Sequence, residues 1–346
     1  MSDIPIRVEG RAGRITLTRP KALNALSYDM CRALDAALVA WAGDPAVALV
    51  LVDAEGDRAF CAGGDIAELY AEGLRGNFDY GRDFWRDEYR MNARIGAYPK
   101  PVVSLVQGFC MGGGVGVACH ASHRIVGETA QVAMPECAIG LVPDVGGTRL
   151  LARAPGRLGA WLGTTGTRMG PGDAIHAGFA DGFVPMADWP ALIAALCETG
   201  DVAAVASAVR PAPVPATLPG LQAQIDRLFA GRDPVAQRQA LREDGSDFAQ
   251  GALAALERGS PLAVATTLAL LDRLGPAPTL RQALEMEYRV THRAQGQTDF
   301  MEGIRAMVID KDRKPKWRHA APEDVSAAEV EALLAPLGPD TLTFTE

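Results

Sequence analysis

The chain has 346 residues, 48% of them apolar and 22% charged, with a net charge of -8 and a pI near 5.3. That length supports one large buried core plus an appended segment, and the composition excludes a disordered or repetitive chain. The acidic balance argues against a nucleic-acid surface, and no apolar run reaches membrane-spanning length.

The N-terminal MSDIPIRVEG lacks a signal-peptide core and an Arg-rich transit pattern, so a cytoplasmic protein without a membrane partner is expected. Cys31, Cys61, Cys110, Cys119, Cys137 and Cys197 are scattered without a CxxC pair, which fits reduced thiols in a reducing compartment.

In chain order, Ile4 to Val8 and Arg14 to Leu17 alternate like two strands of a hairpin. Ser27 is placed to cap a helix through Trp41, with Met30, Leu34, Ala37, Leu38 and Trp41 on one face. Ala48 to Val52 is wholly apolar, as in a parallel strand covered on both faces. Phe60-Cys61-Ala62-Gly63-Gly64-Asp65 is a glycine turn feeding an amphipathic segment from Ile66 to Leu69. From Arg82 to Arg94 the spacing predicts a helix whose apolar stripe runs beside Glu88.

Val102 to Val106 reads as a buried strand after Pro99 and Pro101. It leads to Gly112, Gly113, Gly114 and Gly116, where a helix begins and backbone N–H groups lie bare for a ligand oxygen. Pro135-Glu136 and Pro143-Asp144 then place two acids eight residues apart in apolar surroundings. Short helices follow at 146–152, 157–162 and 171–177. Val209 to Gly220 holds four prolines and no aromatic residue, which marks a linker, and five helical patterns occupy 221–295. The expected organisation is therefore a core over 1–208, a linker over 209–220 and a helical region over 221–346 that packs on the core.

Taken together, RITLTRPKALNALS, FCAGGDI, MGGGVG, AMPECAIGLVPDVGG, MEYR and DFMEGIRAMVIDKDRKPKW resemble the crotonase (enoyl-CoA hydratase/isomerase) superfamily, and within it the 3-hydroxyisobutyryl-CoA hydrolase branch. The glycine motifs mark only the superfamily. MPE followed by PDVGG, with the tail from Asp299 to Trp317, is far more specific. The resemblance covers nearly the whole chain and is weakest over the linker and residues 187–232. It implies an α/β spiral of ββα repeats, followed by the helical C-terminal region, and a coenzyme A thioester carbonyl held by the backbone N–H groups of Ala62 and Gly113. It places Gly63, Gly64, Asp65 and Glu88 in substrate-binding positions. Glu136 takes the place of the water-activating acid, and Asp144 orients water or holds a substrate hydroxyl.

Two preorganised N–H donors suit this chemistry, because attack on a thioester drives negative charge onto its oxygen, and each donor in a water-poor site stabilises it by roughly 3 kcal/mol. One glycine cluster alone reads as turn packing; two matched clusters favour the oxyanion reading. A dinucleotide fingerprint is incomplete, because Val117 stands where its third glycine belongs. Hydratases resembling this chain carry an acid four residues after the first glycine of the Gly-Gly-Gly turn, and here that residue is Gly116.

A hydrolase of a short 3-hydroxyacyl-CoA is thus expected, ahead of a hydratase or isomerase and of an acyl-CoA-binding protein without turnover. Base catalysis on water and attack by Glu136 to form an anhydride both remain open. His120 and His123 lack a third ligand at metal spacing, so no metal is expected, and no cofactor beyond the coenzyme A of the substrate. Lys21, Lys311, Arg313, Lys314 and Lys316 are candidates for its phosphates, with a solvated charge run the plainer reading. Which acyl group is taken and whether the chain forms a homo-oligomer are left open by the residues.

Overall fold

A computed structural model describes residues 3–344 as nine strands and a larger number of helices, divided between two compact units. The first comprises Met1–Gly64, Arg90–Ala133 and Arg168–Pro219; the second comprises Asp65–Tyr89, Met134–Thr167 and Gly220–Glu346. The division is not sequential. The C-terminal helices form a unit with two earlier segments, one carrying Glu88 and the other carrying Glu136 and Asp144.

In the first unit, β1 (Ile6–Glu9) and β2 (Ala12–Leu17) form the expected hairpin about Gly10-Arg11. β2 then pairs in parallel with β3 (Leu49–Ala54), β3 with β5 (Val102–Val106), β5 with β7 (His123–Val126) and β7 with β9 (Gly182–Phe183). A second parallel sheet holds β4 (Ala59–Cys61), β6 (Phe109–Met111) and β8 (Gln131–Ala133). The three pairs β3/β4, β5/β6 and β7/β8 therefore each send one strand to the large sheet and one to the small sheet, the ββ part of the anticipated repeat.

Successive strand residues face opposite ways, and both faces of this sheet are apolar. Ala12, Leu49, Leu51, Val103, Leu105 and Ile125 share a buried cluster with Trp189, Leu192 and Leu196 of the helix Trp189–Thr199. Truncating one such leucine to alanine costs about 2–5 kcal/mol. The helix Tyr28–Ala42 starts where Ser27 predicts, its hydroxyl accepting the Met30 N–H at 3.2 Å.

The linker is strapped down rather than loose: Arg210 bridges to Phe183, and the Asp173 carboxylate accepts the N–H groups of Thr217 and Leu218. In the second unit, Leu262 and Leu270 of the helix Pro261–Leu274 meet Val290, Leu333 and Leu334 in one buried cluster. The helix expected over 280–295 runs only over Leu280–Thr291, with a separate turn at Ala294–Gln297. At the break, the His292 carbonyl accepts the Arg82 guanidinium at 3.2 Å instead of continuing the helical ladder.

Candidate active site

Two glycine turns stand side by side in the first unit because the strands that feed them are parallel neighbours, Ala59 pairing with Phe109 and Cys61 with Cys110. Each turn leaves the C-terminal end of its strand. The second turn needs glycine for backbone shape, since Gly112 lies at φ 48° and ψ -121°, a conformation closed to side chains. At Gly114 the need is close approach: a Cβ there would sit 2.2 Å from the Cys61 carbonyl oxygen. The helix Gly113–Ala118 then begins, with Gly113 and Gly116 both buried.

The first turn departs from expectation at Ala62. Its N–H donates to the Leu23 carbonyl at 3.0 Å, so it is spent within the protein. Beside that bond runs a short parallel bridge between Leu26 and Gly64, in which the Leu26 N–H donates to the Gly63 carbonyl at 2.9 Å. In such pairing the N–H of the bridged residue points to the opposite side. Among the described residues, neither the Gly64 nor the Gly113 N–H meets a protein acceptor, so both are open donors and Ala62 is not. Gly63 (φ 120°) supplies the turn's shape, and Asp65 precedes the helix Ile66–Leu74 without a cap bond to it.

The second unit holds the acids. Glu88 lies on the helix Phe78–Gly96 and is only 3% exposed, buried rather than on a solvated helix face. Its neighbours Trp85 and Tyr89 are buried too, Trp85 against Phe300 with ring centroids 5.6 Å apart. Glu136 opens a single 3-10 turn, Glu136–Ile139, which ends at Gly140 in the left-handed region (φ 72°). A Cβ at Gly140 would lie 2.5 Å from the Asp299 backbone, which fixes this turn against the start of the C-terminal tail.

Asp144 sits at the next turn and accepts the Tyr89 hydroxyl at 2.8 Å on Oδ2. Thr291 Oγ1 is 3.3 Å from that hydroxyl. Glu287 accepts the N–H groups of Gly146 (2.7 Å) and Thr148 (3.0 Å), together with the Thr148 hydroxyl. Among the described residues, Glu88 Oε1 and Glu136 Oε2 are buried without a hydrogen-bond partner.

Burial dominates the electrostatics of this cluster. Desolvation raises the Asp144 pKa from 3.8 to about 7, against the lowering effect of the Tyr89 hydroxyl. Burial also lifts Glu287 to about 8, against the bonds from Thr148 and Gly146. Glu88 and Glu136 are pushed well above 4.5, first by desolvation and then by the charge of Asp144. Asp144 thus lies close enough to act on the other three. Four buried carboxyls whose pKa values are all raised, Asp144 to about 7, form the kind of cluster that suits proton transfer.

Sequence reasoning identified Glu88, Glu136 and Asp144, and the structure gathers them. It missed Tyr89 and Glu287. Tyr89 is adjacent to Glu88 and Glu287 lies within the MEYR motif, but no spacing rule ties either to Asp144 across 55 or about 140 residues. Lys311, Arg313, Lys314 and Lys316 are exposed, Lys311 and Arg313 both in left-handed backbone.

Residues 12–334 match the family model described as enoyl-CoA hydratase/isomerase. A mitochondrial 3-hydroxyisobutyryl-CoA hydrolase of Gallus gallus is 37% identical, spanning 99% of this chain and 91% of that protein. Its counterpart of the same name in Xenopus tropicalis is 39% identical over 95% and 88%. A crystal structure named as an enoyl-CoA hydratase from Rhodobacter sphaeroides 2.4.1 superimposes with a TM-score of 0.95 at 63% identity, covering 99% of this chain and 100% of that one. With the two-sheet scaffold, its adjoining glycine turns and matches of this extent, the chain belongs to the enoyl-CoA hydratase/isomerase family and has the crotonase fold.

Proposed function

We propose that this protein hydrolyses 3-hydroxyisobutyryl-CoA, or a close short 3-hydroxyacyl-CoA, to the free acid and coenzyme A, the thioester step of valine breakdown. The observation that carries the reading is the burial of two acids, Glu136 with an unpartnered Oε2 and Asp144 beside it electrostatically. The names of the Gallus and Xenopus relatives support it.

In this reading the Gly64 and Gly113 N–H groups take the developing charge of the thioester oxygen, each worth roughly 3 kcal/mol. Water adds to the carbonyl carbon as Glu136 removes its proton, and the C–S bond breaks as that proton passes to sulfur. The alternative route, attack by Glu136 itself followed by hydrolysis of the anhydride, uses the same residues. Asp144 orients the water or accepts the substrate hydroxyl. Glu88, whose protonated form burial favours, offers the complementary donor. The chemistry calls for no metal and no cofactor beyond the coenzyme A moiety.

A hydratase reading has the name of the Rhodobacter sphaeroides structure behind it. Against it, Gly116, buried in the helix Gly113–Ala118, provides no acid where hydratases carry one. The test is direct: the purified protein should release free thiol from 3-hydroxyisobutyryl-CoA and should not hydrate crotonyl-CoA. Rapid hydration without thiol release would overturn the hydrolase reading. Among the described residues the six cysteines are buried thiols outside any disulfide, in keeping with a reducing compartment, and we read that compartment as the cytoplasm, although the relatives are named as mitochondrial. No helix among the described residues is long and apolar enough to cross a membrane.

A further inference from the structure

The turn that carries Asp144 is unusual in its backbone. Val145 has φ 52° and Gly146 φ 78°, two successive left-handed residues, and a β-branched side chain is rarely found there. Val145 is also 1% exposed, so the strain is held inside the unit. A tight bond from the Gly147 N–H to the Asp144 carbonyl at 2.6 Å closes the turn, but the helix Gly147–Arg153 that follows has no capping side chain of its own. Strained backbone of this kind persists only where surrounding contacts over-determine it.

Those contacts come from the helix Leu280–Thr291. The Glu287 carboxylate accepts the Gly146 N–H on Oε2, and the Thr148 N–H and hydroxyl on Oε1, so three donors of the turn and of the helix start converge on one buried group. One turn further along the same helix, Thr291 flanks the Tyr89 hydroxyl that binds the Asp144 side chain. The turn after Asp144 is thereby held from this helix, and the Asp144 side chain by Tyr89, whose hydroxyl Thr291 flanks. Glu287 is 0% exposed and all its bonds are internal, so it does not face substrate.

We propose that Glu287 is a positioning residue: by binding the N–H groups of Gly146 and Thr148 it holds the strained Asp144–Gly146 turn in the conformation that presents the Asp144 carboxyl to the reacting groups. The proposal rests on the role given to Asp144 under Proposed function. Glutamine at 287 keeps the side-chain volume but replaces one acceptor oxygen with an NH2 that faces donors, so the turn loses one of its two anchors.

The test is a double-mutant cycle on the full chain, with thiol release read as kcat and KM separately. Glu287→Gln should lower kcat about 10- to 100-fold with KM within about twofold, and in an Asp144→Asn background it should cost less than about threefold more. The same factor of loss in both backgrounds, or unchanged kcat in the single variant, overturns the positioning role. Should Glu287→Gln fail to fold, Thr148→Val removes only the hydroxyl donor; a severalfold kcat loss that vanishes in the Asp144→Asn background supports the proposal, and a loss that persists overturns it. Wild-type turnover by Asp144→Asn alone would overturn the role of Asp144 and this proposal with it.

Discussion

Replacing Asp144 by asparagine should make the protein more stable at alkaline pH while crippling turnover. In the fold the carboxyl titrates at about 7, whereas its ordinary value is 3.8. Below about pH 4 both folded and unfolded chains carry the proton and nothing is gained or lost. Between about pH 4 and 7 the unfolded chain releases the proton and the folded chain keeps it, so folding stability falls by roughly 1.4 kcal/mol per pH unit. Above about pH 7 the penalty levels off near ~4 kcal/mol, the free energy of a rise from 3.8 to about 7. Asparagine has no proton to hold and avoids it. The 2.8 Å bond from Tyr89 is already counted in that folded pKa, so its loss adds no separate cost. A gain of ~1–2 kcal/mol at pH 5 rising to ~4 kcal/mol at pH 9 is expected, the latter about 5–6 °C in Tm for 346 residues. Paired melting curves at pH 5 and pH 9, with thiol release measured on the same samples, check this. A Tm difference that is the same at both pH values refutes the reasoning, because it means the carboxyl ionises in the fold as easily as in water.

Glu136→Gln keeps size but removes the basic oxygen, so kcat should fall by roughly two orders of magnitude or more while substrate still binds; near-normal kcat here, with loss in Asp144→Asn, would reverse the two roles. Tyr89→Phe keeps the ring, which packs edge-on to Tyr288 at 6.1 Å, but deletes the hydroxyl that lowers the Asp144 pKa. The acid limb of kcat/KM, expected near neutral pH because the ionised Asp144 accepts water or substrate, should therefore move up by about one pH unit; a limb that stays in place would detach Tyr89 from the chemistry. Gly114→Ala forces a Cβ to within 2.2 Å of the Cys61 carbonyl oxygen and should abolish activity, with a stability loss of about 3 kcal/mol or more visible in urea melts. A stable, active Gly114→Ala protein would show that the two glycine turns do not touch.

Much of the local structure follows from local physics that any stretch of the chain carries by itself. Ser27 announces its helix because a hydroxyl there satisfies a bare N–H, and the apolar run Leu49 to Val52 announces a parallel strand because both its faces must be covered. Glu136 and Asp144 were legible as acids set after prolines in apolar surroundings, and Gly116 as the place where an acid is lacking. Which N–H of the first glycine turn stays open was not legible. That depends on contacts across more than thirty residues: Leu26 bridges to Gly64, and beside it the Leu23 carbonyl takes the Ala62 donor. Nor could the sequence tell a solvated Glu88 from a buried one, since a helix face takes its character from what packs against it. The division into units, and the convergence of Tyr89, Thr291 and Glu287 about Asp144, were decided by tertiary structure alone. Hydrogen bonds over such separations leave no periodicity in the chain, and desolvation, the force that sets the pKa of every acid in the cluster, exists only once the surrounding residues have closed over it.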